Sequence, residues 1–190
     1  MIISMPRIVS VIAMFSTLLG TAAEKPLRLA IAGLVHGHVD GFLEAVKNRS
    51  DIELVGIFDP DPALAQKYRQ RYGGGNSMFF TDLGVMLDQT KPEAVASFTS
   101  TYDHPMVVEA CAARHIDVMM EKPLAVSMEH ARAIRQAVDR AGIHVIVNYE
   151  TTWYPSHAGM WNLIKERHQA GEIRKMVAMD GHRMCFNYGF

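Results

Sequence analysis

Apolar and polar positions alternate along the chain in two rhythms. Leu29-Ala30-Ile31-Ala32 is an unbroken apolar run, as expected for a strand covered on both faces. Gly33 ends it, and Val39, Phe42, Leu43 and Val46 follow at helical spacing. Residues 51–59 predict a second strand ending in Asp59. A helix then opens at Pro62 with Asp61 as its cap, carries Leu64, Tyr68 and Tyr72, and stops at Gly73-Gly74-Gly75. Ser77 to Phe80 predicts a short strand. Thr81 is expected to cap a short helix with Leu83, Met86 and Leu87. Strands are expected at Ala94–Phe98, Ile116–Met120 and Ile143–Val147. Between them lie a helix from Pro105, with Val107, Val108, Ala110 and Cys111, and a helix capped by Ser127. The latter has the stripe Ala131, Ile134, Val138, Ala141 and is closed by Gly142. This alternation predicts an α/β fold, a doubly wound, mostly parallel sheet with helices on both faces.

Past Tyr149 the pattern changes. Ser156 is expected to cap a helix through Met160, Leu163, Ile164 and Arg167 that ends at Gly171, and residues 173–180 alternate like a half-buried strand. The expected division is 1–23 as a signal peptide, 24–150 as the main domain, and 151–190 as only the start of a second, α+β domain. The signal reading rests on a short charged start, an uncharged apolar run from Ile8 to Leu19, and small residues at Gly20 to Ala23. It implies a periplasmic or secreted protein, and an uncleaved anchor is the other reading of the same run. That run is short beside the ~20 residues of a membrane span.

At 190 residues, 49% hydrophobic and 21% charged, the chain has material for a sizeable core. A net charge of −1 gives nothing that suggests a nucleic-acid or anionic-membrane partner. Two cysteines, Cys111 in an apolar helical pattern and Cys185, imply no disulfide framework. Trp153 and Trp161 read as core or interface residues.

A strand running through a tight turn into a helix offers free N–H groups and a positive dipole end to a pyrophosphate. The turn Gly33, Val35, His36, Gly37 and His38 is therefore the expected cofactor-binding loop. A G-x-G-x-x-G pattern would need glycine at 35 and 38, where Val35 and His38 stand. Asp59 lies about 26 positions after Gly33, near the ~20-residue offset of an acid that holds an adenosine ribose. Its other reading is a turn residue in Asp59-Pro60-Asp61-Pro62. Lys122, at a strand exit, is either a substrate-hydroxyl lysine or a solvated turn residue. His104 either lines the same crevice or starts a helix. His36 and His38 stand two apart in one turn with no carboxylate or cysteine beside them, so no metal site is expected. No Gly-x-Ser-x-Gly elbow surrounds Ser100.

The ordered set of Gly33, Asp59-Pro60, Thr99 with His104, Glu121-Lys122-Pro123 and Asn148-Tyr149 resembles the Gfo/Idh/MocA family, the glucose–fructose oxidoreductase and inositol dehydrogenase relatives. The resemblance covers about residues 27–180 and is most specific at Glu121-Lys122-Pro123. It implies a Rossmann domain binding NAD (NADP being possible) and an oxidoreductase acting on a sugar, cyclitol or related alcohol. It also implies Lys122 as the catalytic lysine, Asp59 at the ribose, and Thr99, His104 and Glu121 at the cofactor. The family carries a second α+β domain, so the chain is expected to be a fragment, and a homo-oligomer only in a full-length form. The alternatives are a non-catalytic nucleotide- or sugar-binding module and a non-functional truncated product. Export leaves open how an enzyme outside the cytoplasm obtains its dinucleotide.

Overall fold

A computed structural model describes residues 25–73, 75–149 and 154–169. The expected signal peptide, the stop at Gly171 and the strand at 173–180 lie outside the described residues.

Six parallel strands form one sheet: β1 (Leu27–Ala32), β2 (Ile52–Phe58), β3 (Phe79–Phe80), β4 (Ala94–Ser97), β5 (Asp117–Glu121) and β6 (Val145–Asn148). Their order is β3-β2-β1-β4-β5-β6. The connecting helices are α1 (His38–Lys47), α2 (Pro62–Tyr72), α3 (Leu83–Thr90), α4 (His104–Ala112) and α5 (Met128–Ala141), and α6 (Pro155–Trp161) follows β6. The chain winds away from β1 toward β3 and then, beginning at β4, toward β6. The gap between β1 and β4 is therefore the point where the winding reverses.

Alternation along each strand supplies two cores. Leu29 and Ile31 of β1, Ile57 of β2 and Ala96 of β4 pack with Val39 and Leu43 of α1 and Tyr68 of α2. Ala30, Ala32, Phe58, Val95, Val118 and Met120 face the other way, against Met86 and Leu87, Val107 and Val108, and Ile134 and Ala137 of α3, α4 and α5. Cys111 is fully buried in this second layer, where burial pushes its thiol up to about 12.

Most predicted elements are present, with local differences. The cap of α3 is Asp82, not Thr81, because the Asp82 carboxylate stands directly before the first helical residue and accepts from the Val85 N–H at 2.8 Å. The expected strand from Ser77 is a 3₁₀ turn (Asn76–Met78) leading into two strand residues. The last strand starts at Val145, two residues late. Ser156 caps nothing, since α6 already begins at Pro155, and Asn162–Glu166 continues it as a π-helical segment. Of the two tryptophans read as core or interface, Trp161 is 60% exposed and so not core, and Trp153 lies outside the described residues. No helix among the described residues is long and apolar enough to cross a membrane.

Candidate active site

The carboxyl ends of β1, β4, β5 and β6 deliver the chemistry. Ala32 pairs with Ser97, and Glu121 pairs with Asn148, so the residues that leave these strands share one rim. The β1 turn needs its glycine. Gly33 has φ +88°, and a Cβ there would meet the Thr99 backbone N at 2.6 Å and its Cα at 2.7 Å. The turn after β1 thus lies directly on the Thr99 backbone. It is fastened by Gly33 N–H to Phe58 C=O (2.7 Å), Leu34 N–H to an Asp59 carboxylate oxygen (2.7 Å) and His36 N–H to Phe98 C=O (3.1 Å). Gly37, before α1, offers no capping side chain, and His36 Nδ1 accepts from the first helical N–H, that of His38, at 3.3 Å. Val35 is exposed on the turn, so it replaces a family glycine without filling the interior.

Asp59 stands where the sequence places it, at the end of β2, but it is buried, at 1% exposure. One oxygen accepts from Leu34 N–H and the other from Asp61 N–H at 2.8 Å. Burial pushes its carboxyl above the usual carboxylate range, against these two hydrogen bonds. Both carboxylate oxygens, expected at a ribose, take backbone N–H groups. In the structure it ties the β1 turn to the start of α2, nearer the alternative of a turn residue.

The opposite wall is a polar network that joins distant segments. Glu121 is 1% exposed, and one of its oxygens accepts from Asn148 Nδ2 at 2.9 Å and lies 3.0 Å from His38 Nδ1. Its Oε2 is buried with no donor among the described residues. His104, the first residue of α4, is fully buried, and its Nδ1–H donates to Leu124 C=O at 3.1 Å. A backbone carbonyl only accepts, so the neutral ring keeps its lone pair on Nε2, which has no partner. Burial lowers the pKa of both His104 and His36; at His36 the nearby His38, Lys122 and His104 act in the same direction and Glu121 opposes them. Thr99 is buried and its hydroxyl meets that of Ser97 at 3.1 Å. Lys122 is exposed beside this wall.

The structure thus brings Gly33, His36, Gly37, His38, Thr99, His104, Glu121 and Lys122 to one rim and leaves Asp59 beneath it. Asn148 belongs to the family pattern read from the sequence but was given no role there. Its role comes from the β5–β6 register. A dinucleotide fits this crevice on three observations: the reversal point, a helix start at the rim preceded by a glycine, and a glycine that no side chain can replace without meeting Thr99.

A model of the Gfo/Idh/MocA family, described as an oxidoreductase family with an NAD-binding Rossmann fold, matches residues 27–149. D-apiose dehydrogenase of Paraburkholderia graminis is 26% identical over 114 residues, 60% of this chain and 30% of that protein. D-glucoside 3-dehydrogenase of Escherichia coli is 31% identical over 124 residues, 63% of this chain and 33% of that protein. The chain spans about a third of the length of these curated relatives. The crystal structure of the WlbA dehydrogenase from Chromobacterium violaceum, in complex with NADH and UDP-GlcNAcA, superposes with a TM-score of 0.67 at 25% identity. That match covers 76% of this chain and 41% of that one.

Proposed function

Since the chain belongs to the Gfo/Idh/MocA oxidoreductases with their NAD-binding Rossmann fold, we propose that it serves NAD-dependent oxidation or reduction of a sugar, cyclitol or related alcohol. The observation that carries the reading is the convergence of Gly33, the start of α1, Thr99, Glu121 and Lys122 where the winding of the sheet reverses. Ligands of such sheets bind at that crevice. The relatives that support the substrate class are dehydrogenases of a free sugar and of a glucoside.

In this reading the turn from Gly33 to His38 holds the pyrophosphate through the helix dipole and the backbone N–H groups that the turn does not itself use. The chemistry NAD supplies when bound is acceptance of a hydride from a carbinol carbon. Lys122 holds the substrate hydroxyl and carries its proton. Buried Glu121 and Asn148 keep the wall beside Lys122 rigid. Residues 59–62, Asp59-Pro60-Asp61-Pro62, contain two carboxylates and no cation. That favours NAD, because NADP would bring a 2′-phosphate beside them. Asp59 acts on the ribose mainly through the turn it ties. The layout of residues 1–23 supports export to the periplasm or beyond, with residues 24–150 as the nucleotide domain.

The test is titration of the 190-residue chain with NADH and NADPH, followed by steady-state assays with NAD and a panel of sugars and cyclitols. NADH is expected to bind more tightly. Lys122→Ala is expected to retain that affinity and to lower turnover by about 10²–10⁴-fold. Tighter NADPH binding would overturn the cofactor assignment. Binding without turnover on any alcohol would favour a non-catalytic module.

A further inference from the structure

His36, His38 and Glu121 come from two segments, with His38 and Glu121 83 residues apart in sequence. One ligand atom from each lies within 4.8 Å of the others. The carboxylate also has an oxygen that the protein leaves open. Asn148 and His38 hold one oxygen of Glu121, which leaves Oε2 buried without a donor. His38 meets the carboxylate through Nδ1, so for both groups to hold one ion this nitrogen gives up its proton and the neutral ring carries its N–H at Nε2. His36 Nδ1 is unprotonated, since it accepts a hydrogen bond from the His38 backbone N–H, and that bond is long, at 3.3 Å. A buried carboxylate oxygen with no donor is costly unless something positive meets it.

We propose that His36, His38 and Glu121 form a binding site for a divalent cation of the Zn²⁺ class. Two imidazoles and one carboxylate suit borderline metals better than Mg²⁺ or Ca²⁺, which take all-oxygen shells. Metal–ligand bonds of about 2.0–2.2 Å need donor atoms roughly 3.4 Å apart, so the widest-spaced of the three groups must close by up to about 1.4 Å. His36 and His38 are half-exposed and stand at the turn, where their rings can rotate; Glu121 is held in place. Asn148, by donating to the oxygen that is not needed for the metal, orients the carboxylate from behind. Three protein ligands leave a fourth position toward the crevice for water or an oxygen of the bound molecule. The site itself does not depend on the oxidoreductase reading.

The experiment uses the untagged 190-residue chain, stripped with a chelator and titrated with Zn²⁺ and, separately, Mg²⁺. Saturable binding of one Zn²⁺ per chain is expected, with Mg²⁺ at least tenfold weaker. His36→Ala and Glu121→Gln should each weaken Zn²⁺ binding tenfold or more, while His144→Ala, at an exposed histidine elsewhere, should not. His36 lies on a half-exposed turn, so its variant stays informative if Glu121→Gln does not fold. No saturable Zn²⁺ binding, a preference for Mg²⁺, or Zn²⁺ affinity unchanged in His36→Ala overturns the proposal. NADH titration of the metal-free chain tests the nucleotide reading independently.

Discussion

At the scale of single residues, Gly33 and His104 carry the sharpest consequences. Gly33→Ala forces a side chain into φ +88° and onto the Thr99 backbone, where nothing flexible can yield. A left-handed conformation and a backbone clash together should cost on the order of 2–4 kcal/mol. Urea unfolding should show that loss, and NADH binding should fail even where the variant still folds. His104 governs a pH effect. Burial holds its pKa below the ordinary 6.5, so between those values the folded chain binds fewer protons than the unfolded chain. Stability is therefore full above pH 6.5 and drains away as pH falls toward the depressed folded value. His36 acts in the same direction. Asp59, raised above 3.8, acts oppositely and at lower pH, its folded form being favoured in acid. Unfolding free energies measured from about pH 7.5 down to pH 5 should fall less steeply in His104→Gln than in the unaltered chain; an identical slope would show that His104 is not the cause. Neither residue's role was fully legible in sequence. Gly33 announces a turn, but its contact with Thr99 depends on β1 and β4 being neighbours. His104 reads equally as a site residue or a helix start; it is the first residue of α4, fully buried beside the rim.

At the scale of elements, helix starts show where sequence reading succeeds and where it slips. Asp61 and Ser127 cap α2 and α5 as expected, accepting from Ala63 N–H and His130 N–H. At α3 two capping residues stand side by side, and composition alone does not separate Thr81 from Asp82. The structure does: Asp82 Oδ1 accepts from Val85 N–H at 2.8 Å. Asp82→Ala should therefore cost about 1 kcal/mol of stability and Thr81→Ala a few tenths at most, by urea unfolding. Equal losses would contradict the assignment. The short β3 is a similar case. Aromatic residues at 79 and 80 favour extension, yet the residues just before them form a 3₁₀ turn, so the ladder holds only the pairs Ile57–Phe79 and Phe58–Phe80.

At the scale of the whole molecule, the export reading has a direct consequence. If residues 1–23 are an export signal, N-terminal sequencing of the chain recovered from a periplasmic or secreted fraction should begin near Glu24. A cytoplasmic chain beginning at Met1 would refute it. The class of fold was present in the sequence because it follows from local rules: the period of each apolar pattern, the caps and glycines that bound each element, and the alternation of strand and helix that leaves a parallel sheet as the only way to bury both faces. Glu121-Lys122-Pro123, as a contiguous motif, was likewise open to reading. What the chain order leaves undetermined is which distant residues meet. Only the sheet order puts β1 between β2 and β4, and so turns Asp59 inward as a brace for Leu34 instead of leaving it free for a ribose. Only the β5–β6 register sets Asn148 behind Glu121, and only the packing of the β1 turn brings His36 and His38 to that buried carboxylate. Periodicity encodes which face each residue presents, whereas partnership across tens of residues is decided by how the layers close upon one another.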